Sequence, residues 1–383
     1  MALPGRTDRR LLGLTLLVKL GVLLVGAAAY VWVEGGHFGT IKDAFAIWNR
    51  WDAPHYLDLA AFGYRSSDPG NLPMFSQRGD LDLFIVFYPL FPWLVGGVNA
   101  ALHDPIWSGF VVSTVASLFV APLLYRVVRR EESHAVAVRA AVVALIFPTA
   151  YFLHIPYTES LFMALVLGSF LAARSDRWWL AGTLGGLAAL TRVNGLILIP
   201  ALAVEAGVGW ARLPREERRL RVEWLAIGLV AVGFGVYLLL NQLVYGDPFT
   251  FLRVLHEHWY KSLAPPWQGI AGIFPWFHNT DPDLVLTLGW MELLFVVIGL
   301  AGTIHMALRR RWAWFVWMAG NWLLFVSTWF VLSVPRYSLT LFPLFVSLAL
   351  LARWRWLAVV LSLVSLAGLV YFSGRFANGA WGF

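Results

Sequence analysis

Long apolar runs separated by short polar or charged stretches alternate along almost the whole chain. The runs 11–33, 106–128, 138–154, 159–174, 178–191, 194–211, 224–245, 286–308, 312–332, 337–352 and 356–372 carry few charges. A helix needs about 20 predominantly apolar residues to cross a bilayer. The pattern therefore predicts an all-α polytopic membrane protein with about 11 transmembrane helices, 178–191 and 194–211 being short enough for a re-entrant pair. A further run, 83–101, is interrupted by Tyr88-Pro89, Phe91-Pro92 and Gly96-Gly97. It is expected to lie along the membrane surface as a juxtamembrane helix.

The distribution of basic residues sets the expected topology. Arg6, Arg9 and Arg10 form one cluster, and further Arg clusters stand at 126–130, 212–221, 309–311 and 353–355, between runs. With 83–101 outside the membrane, every cluster falls on one side; if 83–101 crossed, all the later ones would be inverted. Cytoplasmic loops are enriched in Lys and Arg. A multi-pass protein of the cell membrane is expected, with its N-terminus cytoplasmic and its C-terminus outside. Segments 34–105 and 246–285 then face outward, and they hold more than half of the 22 acidic residues. Chemistry is expected on that extracytoplasmic face.

Composition narrows the classes. The chain is 59% hydrophobic and only 13% charged, which a soluble protein of 383 residues would not carry. The run 11–33 is too long, and is followed by Gly35-Gly36-His37 rather than an Ala-x-Ala site, to resemble a cleaved signal peptide. No cysteine is present, so disulfides, thiolate nucleophiles and Cys-based metal sites are excluded. The net charge of +7 lies in short inter-helix clusters, not in a groove that would hold nucleic acid. The 21 Trp suit membrane interfaces and sugar contacts. No repeat or linker divides the chain, and 1–383 reads as a single integral membrane domain.

Candidate chemistry begins just past the first run, at Trp48-Asn49-Arg50-Trp51-Asp52-Ala53-Pro54-His55-Tyr56. Asp52 fits the N-cap of a helix over 53–61. It equally fits a general base, because a carboxylate near the positive helix end stays ionised. His55 and Tyr56 fall one turn on. Asp80 and Asp82 are candidates for a second acid, with capping of a surface helix as the plainer role. In Tyr157-Thr158-Glu159-Ser160, Thr158 and Glu159 read either as a helix start or as substrate contacts. Arg192 and Arg336 are isolated cations at the ends of spans, so each requires an anionic partner: a carboxylate or a lipid phosphate. His256-Glu257-His258 does not supply metal-ligand spacing, since residues i and i+2 of a helix point apart. No metal site is nominated and a divalent cation is not indicated.

Several segments resemble one family in order and spacing. Trp51-Asp52-Ala53-Pro54-His55-Tyr56 with Ala60-Ala61-Phe62-Gly63-Tyr64, Phe87-Tyr88-Pro89-Leu90-Phe91-Pro92, Pro156-Tyr157-Thr158-Glu159-Ser160-Leu161-Phe162, Thr191-Arg192-Val193-Asn194-Gly195 and Pro335-Arg336-Tyr337 are similar to motifs of the PIG-V-type mannosyltransferases. These belong to the GT-C glycosyltransferases. The resemblance implies a GT-C fold and a polyprenyl-phosphate sugar, usually mannose, as donor. It also implies transfer to a glycan, lipid or protein acceptor outside the membrane. Asp52 would be the catalytic base. His55, Tyr56, Glu159, Arg192, Arg336, Tyr337 and Trp51 would bind substrate, with Trp48 and Trp51 packing against lipid or sugar. Between Tyr64 and Phe84 the chain departs from the family, which usually has a Glu there, and the second acid stays unassigned. A transporter or flippase of lipid-linked sugars is the rival reading, in which no base is needed.

Overall fold

The computed structural model describes residues 5–64 and 81–383, with the backbone alone at Leu81 and Asp82. The expected second acids fall outside this: Asp80 lies beyond the described residues, and so does the Asp82 side chain. The fold is all-helical. The one β pairing among the described residues is an isolated bridge between Leu263 and Thr328. Helices are the physical outcome expected of such runs, because lipid offers no partner for backbone N–H and C=O groups.

Six helical segments are long and apolar enough to cross a membrane: Arg6–Glu34, Pro105–Arg129, Val193–Arg212, Val222–Tyr245, Pro282–Leu308 and Arg355–Ala377. A bent pair, Val334–Thr340 and Phe342–Leu351, kinked by 89°, would make a seventh. The protein is a multi-pass membrane protein. The expected runs 138–154, 159–174, 178–191 and 312–332 are helical too, but as His134–Ile146, Glu159–Ala173, Trp178–Thr191 and Trp312–Val326. These helices have 13 to 15 residues, about 20–22 Å at 1.5 Å per residue, short of a hydrocarbon core of about 30 Å. Proline gives the reason in the first. Pro148 breaks the run 138–154, and the chain between Ile146 and Glu159, which includes Pro156, forms irregular buried backbone with one 3-10 turn, Ala150–Leu153. The run 83–101 forms a 3-10 turn, Leu81–Val86, and a 13-residue helix, Leu90–Leu102. That helix is also too short to cross.

The two ends of the bundle differ in chemistry. One end collects an ion-pair network. Glu131 meets Arg174 (2.8 Å) and Arg311, while Glu132 meets Arg309 (2.8 Å) and Arg311 (3.0 Å). Arg174 also meets Glu205 at 2.9 Å, and Arg126 meets Asp8 at 2.9 Å. Glu159–Ala173 starts at the opposite end and runs to Arg174; Trp178–Thr191 runs back to Arg192. The residues singled out for chemistry therefore gather away from the Arg-rich end.

Trp178–Thr191, which delivers Arg192, packs backbone to backbone against Val222–Tyr245. A Cβ on Gly182 would stand 1.8 Å from Ala226 O, and one on Gly233 would stand 1.9 Å from Gly186 O. Small residues four apart permit such close helix contact. Gly233→Leu is expected to lower stability by about 1–3 kcal/mol or more, because backbone atoms cannot yield. Gly235→Leu, with nothing within 4 Å of a Cβ, serves as control. Thermal unfolding in detergent checks the pair, and equal melting temperatures would contradict the packing.

Candidate functional site

The turn carrying Asp52 is anchored from below. Trp48 is fully buried, and a Cβ on Gly26 would come within 2.1 Å of its ring. This corrects the expectation that Trp48 meets lipid or sugar: Gly26 and Phe376 leave a slot that the indole fills, stacked 6.1 Å from Phe376. Trp51 does face outward. Its φ of 58° is left-handed, an uncommon conformation for a bulky residue, and it sits edge-on to Trp381 at 4.9 Å. Tyr157 clamps this turn. Its hydroxyl accepts from the Asp52 N–H at 3.1 Å and donates to Arg50 O at 2.9 Å.

Asp52 occupies the N-cap position of Ala53–Phe62, yet its side chain caps nothing. The carboxylate turns instead to Arg336, whose Nη1 donates to Oδ2 at 2.6 Å. Arg336 Nε donates at 2.6 Å to Glu159 Oε1, and Arg192 Nη1 donates to that same oxygen, also at 2.6 Å. The result is an alternating chain of charges, Asp52–Arg336–Glu159–Arg192. Glu159 is fully buried and Arg336 is 5% exposed, whereas the Asp52 side chain keeps 27% of its surface. Thr158 likewise makes no side-chain cap; its Oγ1 accepts from Arg192 Nη1 at 2.8 Å. The carboxylate partners that the isolated arginines required are thus Glu159 and Asp52.

Aromatic rings enclose the guanidinium groups. Arg336 lies 4.7 Å from the Tyr157 ring centre and 5.0 Å from that of Phe152, and Arg192 lies 5.3 Å from Tyr337. Such faces stabilise cations as water is excluded. The Arg336 backbone is fixed by a residue not singled out in the sequence, Glu292. Its buried carboxylate accepts from Ser333 N–H at 2.6 Å and Val334 N–H at 2.9 Å, while Ser333 is held at a left-handed φ of 69°. The available signal was a lone carboxylate within the apolar run 286–308.

The network opens into a cavity of about 1410 Å³. Asp52, His55, Tyr56, Arg192, Arg336, Tyr337 and Trp51 line it together. Glu159 does not; it stands behind the two arginines. Two further cations line the cavity. Arg50 has a buried Nε without a hydrogen-bonding partner. The second, Lys261, belongs to none of the motifs and follows no spacing that would have marked it. It donates to Phe330 O at 2.9 Å and is pushed down to about 8 by burial. His256 and His258 reach the cavity as well, His256 paired with Ser262 at 2.8 Å. Among the described residues no three His, Asp or Glu converge as metal ligands.

Residues 88–239 match the family model described as dolichyl-phosphate-mannose-protein mannosyltransferase. That match covers the aromatic Tyr88-Pro89 segment, Glu159 and Arg192, but neither Asp52 nor Arg336. No curated protein sequence matches the chain. The structure is similar to that of ArnT from Cupriavidus metallidurans bound to undecaprenyl phosphate, at 13% identity and TM-score 0.49, over 96% of this chain and 76% of that one. It is also similar to the apo Archaeoglobus fulgidus oligosaccharyltransferase, at 13% identity and TM-score 0.46, over 95% and 56%. The chain therefore spans just over half the length of the oligosaccharyltransferase.

Removing the central anion should be the most damaging change to the network, since the buried Arg336 and the half-buried Arg192 lose their shared partner. Glu159→Gln is expected to destabilise the protein by about 3–5 kcal/mol. Arg192→Lys, which keeps the charge, should cost far less. Chemical denaturation of both variants in detergent checks this, and equal losses would contradict a shared role for Glu159.

Proposed function

We propose that the protein is a GT-C membrane glycosyltransferase that moves a sugar from a polyprenyl-phosphate donor to an acceptor hydroxyl with inversion. The single observation that carries this reading is the Asp52 carboxylate. It is held by Arg336 without capping its own helix, and it is presented to a large cavity lined by cations and aromatic rings. The match of residues 88–239 to a lipid-phosphate-mannose transferase model supports the same class, and the motif order supports a PIG-V-type relative using mannose.

In this mechanism Asp52 takes the proton from the acceptor hydroxyl as that oxygen attacks the anomeric carbon. The bond from that carbon to the phosphate oxygen breaks, and polyprenyl phosphate leaves. Arg336 uses Nε and Nη1 for Glu159 and Asp52, so its Nη2 is the edge available to a phosphate oxygen. Lys261 and Arg50 supply further positive charge in the same cavity, where fixed cations stabilise a departing phosphate. Arg192 acts mainly by keeping Glu159 in place. His55, Tyr56, Tyr337 and Trp51 form the wall against which the sugar and lipid pack. Because the opposite end carries the Arg clusters, the positive-inside rule supports a site on the extracytoplasmic face. The acceptor is a glycan, lipid or protein hydroxyl.

Membranes incubated with labelled polyprenyl-phosphate mannose should yield a new labelled product. Label that crosses the bilayer without forming a new bond would instead establish transport and refute this function. Asp52→Asn is expected to slow transfer by about 10²–10⁴-fold, the range for loss of a general base, with donor binding nearly unchanged. Wild-type turnover in that variant would remove Asp52 from the chemistry.

Donor affinity should also depend on pH. Lys261 is charged below about 8 and neutral above it. Binding of the polyprenyl-phosphate sugar should therefore weaken as pH rises through 8, on the order of tenfold, as for the loss of one charge-assisted hydrogen bond. Lys261→Gln should bind weakly at every pH and flatten the profile. A titration of affinity from about pH 7 to 9.5 decides, and an unchanged slope in the variant would exclude Lys261 from the phosphate site.

A further inference from the structure

A second concave surface lies on the flank of the bundle, apart from the cavity at Asp52. It is an apolar groove of about 1030 Å³ between the Pro105–Arg129, Glu159–Ala173 and Trp178–Thr191 helices. Val111, Val115, Phe119, Leu161, Leu165 and Leu184 form much of its wall. Gly168 opens the floor, where a Cβ would stand 3.1 Å from the Leu184 side chain. Val115 is 54% exposed and Phe119 46%, so the apolar wall is not covered by the protein itself. From Val111 to Arg126 the groove follows the helix for about 22 Å, and it ends among Arg126, Arg129, Arg130 and Arg177.

The charge state of that end is what selects an occupant. Elsewhere at the Arg-rich end Arg174, Arg309 and Arg311 each meet a carboxylate, and so does Arg126 through Asp8. The other arginines of the groove do not. Arg129 donates to Glu132 O at 3.2 Å, a neutral carbonyl. Arg130 bonds to Arg174 O and, at 2.8 Å, to Ser175 Oγ, both neutral. The Arg177 side chain has no hydrogen-bonding or ionic partner among the described residues; only its backbone bonds, to Ala172 O and Ala181 N–H. Three uncompensated guanidinium groups therefore stand where a long apolar trough meets the membrane surface. Basic pockets between membrane helices attract anionic headgroups.

We propose that this groove is a binding site for an acidic phospholipid of the leaflet at the Arg-rich end. Its phosphate sits among Arg129, Arg130 and Arg177, and an acyl chain lies along the wall toward Val111. The lipid bridges Pro105–Arg129 to the pair of helices that delivers Glu159 and Arg192, so it braces the site from the far end without touching substrate. The proposal stands independently of the glycosyl-transfer reading.

The test uses the purified full chain, delipidated in detergent, with phosphatidylglycerol and phosphatidylcholine of identical acyl chains as probes and native mass spectrometry as readout. The wild type should retain phosphatidylglycerol preferentially. Arg129→Gln combined with Arg177→Gln should reduce that preference roughly ten- to thirty-fold, as expected for two lost charges, and leave phosphatidylcholine retention unchanged. Arg353→Gln combined with Arg355→Gln, exposed arginines away from the groove, should change nothing. Ala164→Trp, which fills the groove and spares the arginines, should also lower phosphatidylglycerol retention. Unchanged preference in the Arg129 and Arg177 variant would overturn the site. Unchanged retention in Ala164→Trp would reduce it to surface adsorption and likewise overturn the groove.

Discussion

Two arginines cannot be placed in a water-poor membrane protein without anions to meet them, and one fully buried carboxylate meets both. Glu159 Oε1 accepts from Arg192 and from Arg336, and Arg336 has enough remaining nitrogen to hold Asp52. An ion transferred from water to such surroundings is strongly penalised unless its neighbours compensate it. The alternating order of charges meets that demand, and it also fixes geometry. The guanidinium of Arg336 is planar and rigid, so the positions of Glu159 and Asp52 are linked through it. Of the two carboxylates, Asp52 is the one that retains access to the cavity.

The fold supplies this arrangement by ending helices early. Pro148 stops a run that hydropathy alone would carry across the membrane, and the irregular backbone from there to Pro156 is buried. Such backbone survives at membrane depth where protein covers it or where it lines a cavity. It brings Tyr157, Thr158 and Glu159 to the turn at 50–52. On the other side the 89° bend between Val334–Thr340 and Phe342–Leu351 brings in Arg336, with Glu292 holding the two N–H groups at its start. Short helices, which look like incomplete crossings, are therefore what makes room for the site.

Much of this was legible in the sequence, and the remainder was hidden for identifiable reasons. The apolar runs marked the helices, and the isolation of Arg192 and Arg336 implied anionic partners. The identity of those partners was not legible, because Asp52 and Arg336 are 284 positions apart and pairing is a property of the tertiary structure. Local rules also lost to tertiary ones. Asp52 and Thr158 stand at helix starts, where their side chains ordinarily cap, but a guanidinium competes better for each oxygen than a backbone N–H does. Trp48 looked like an interfacial residue, yet the missing side chain of Gly26 drew it into the core. Fewer helices reach span length than there are apolar runs; in 138–154 the reason is that hydropathy registers apolar length and not the proline that breaks it, Pro148.

What the network of charges and rings provides is the placement of Asp52. Tyr157 isolates that role, since it touches the Asp52 turn by two hydrogen bonds and does not line the cavity. The decisive experiment is a double-mutant cycle on the rate of sugar transfer with Tyr157→Phe and Asp52→Asn. Alone, Tyr157→Phe should slow turnover roughly 10- to 100-fold by misplacing the carboxylate. In the Asp52→Asn background it should have no further effect. Losses that multiply would contradict this role, because Tyr157 would then contribute by a route that does not pass through Asp52.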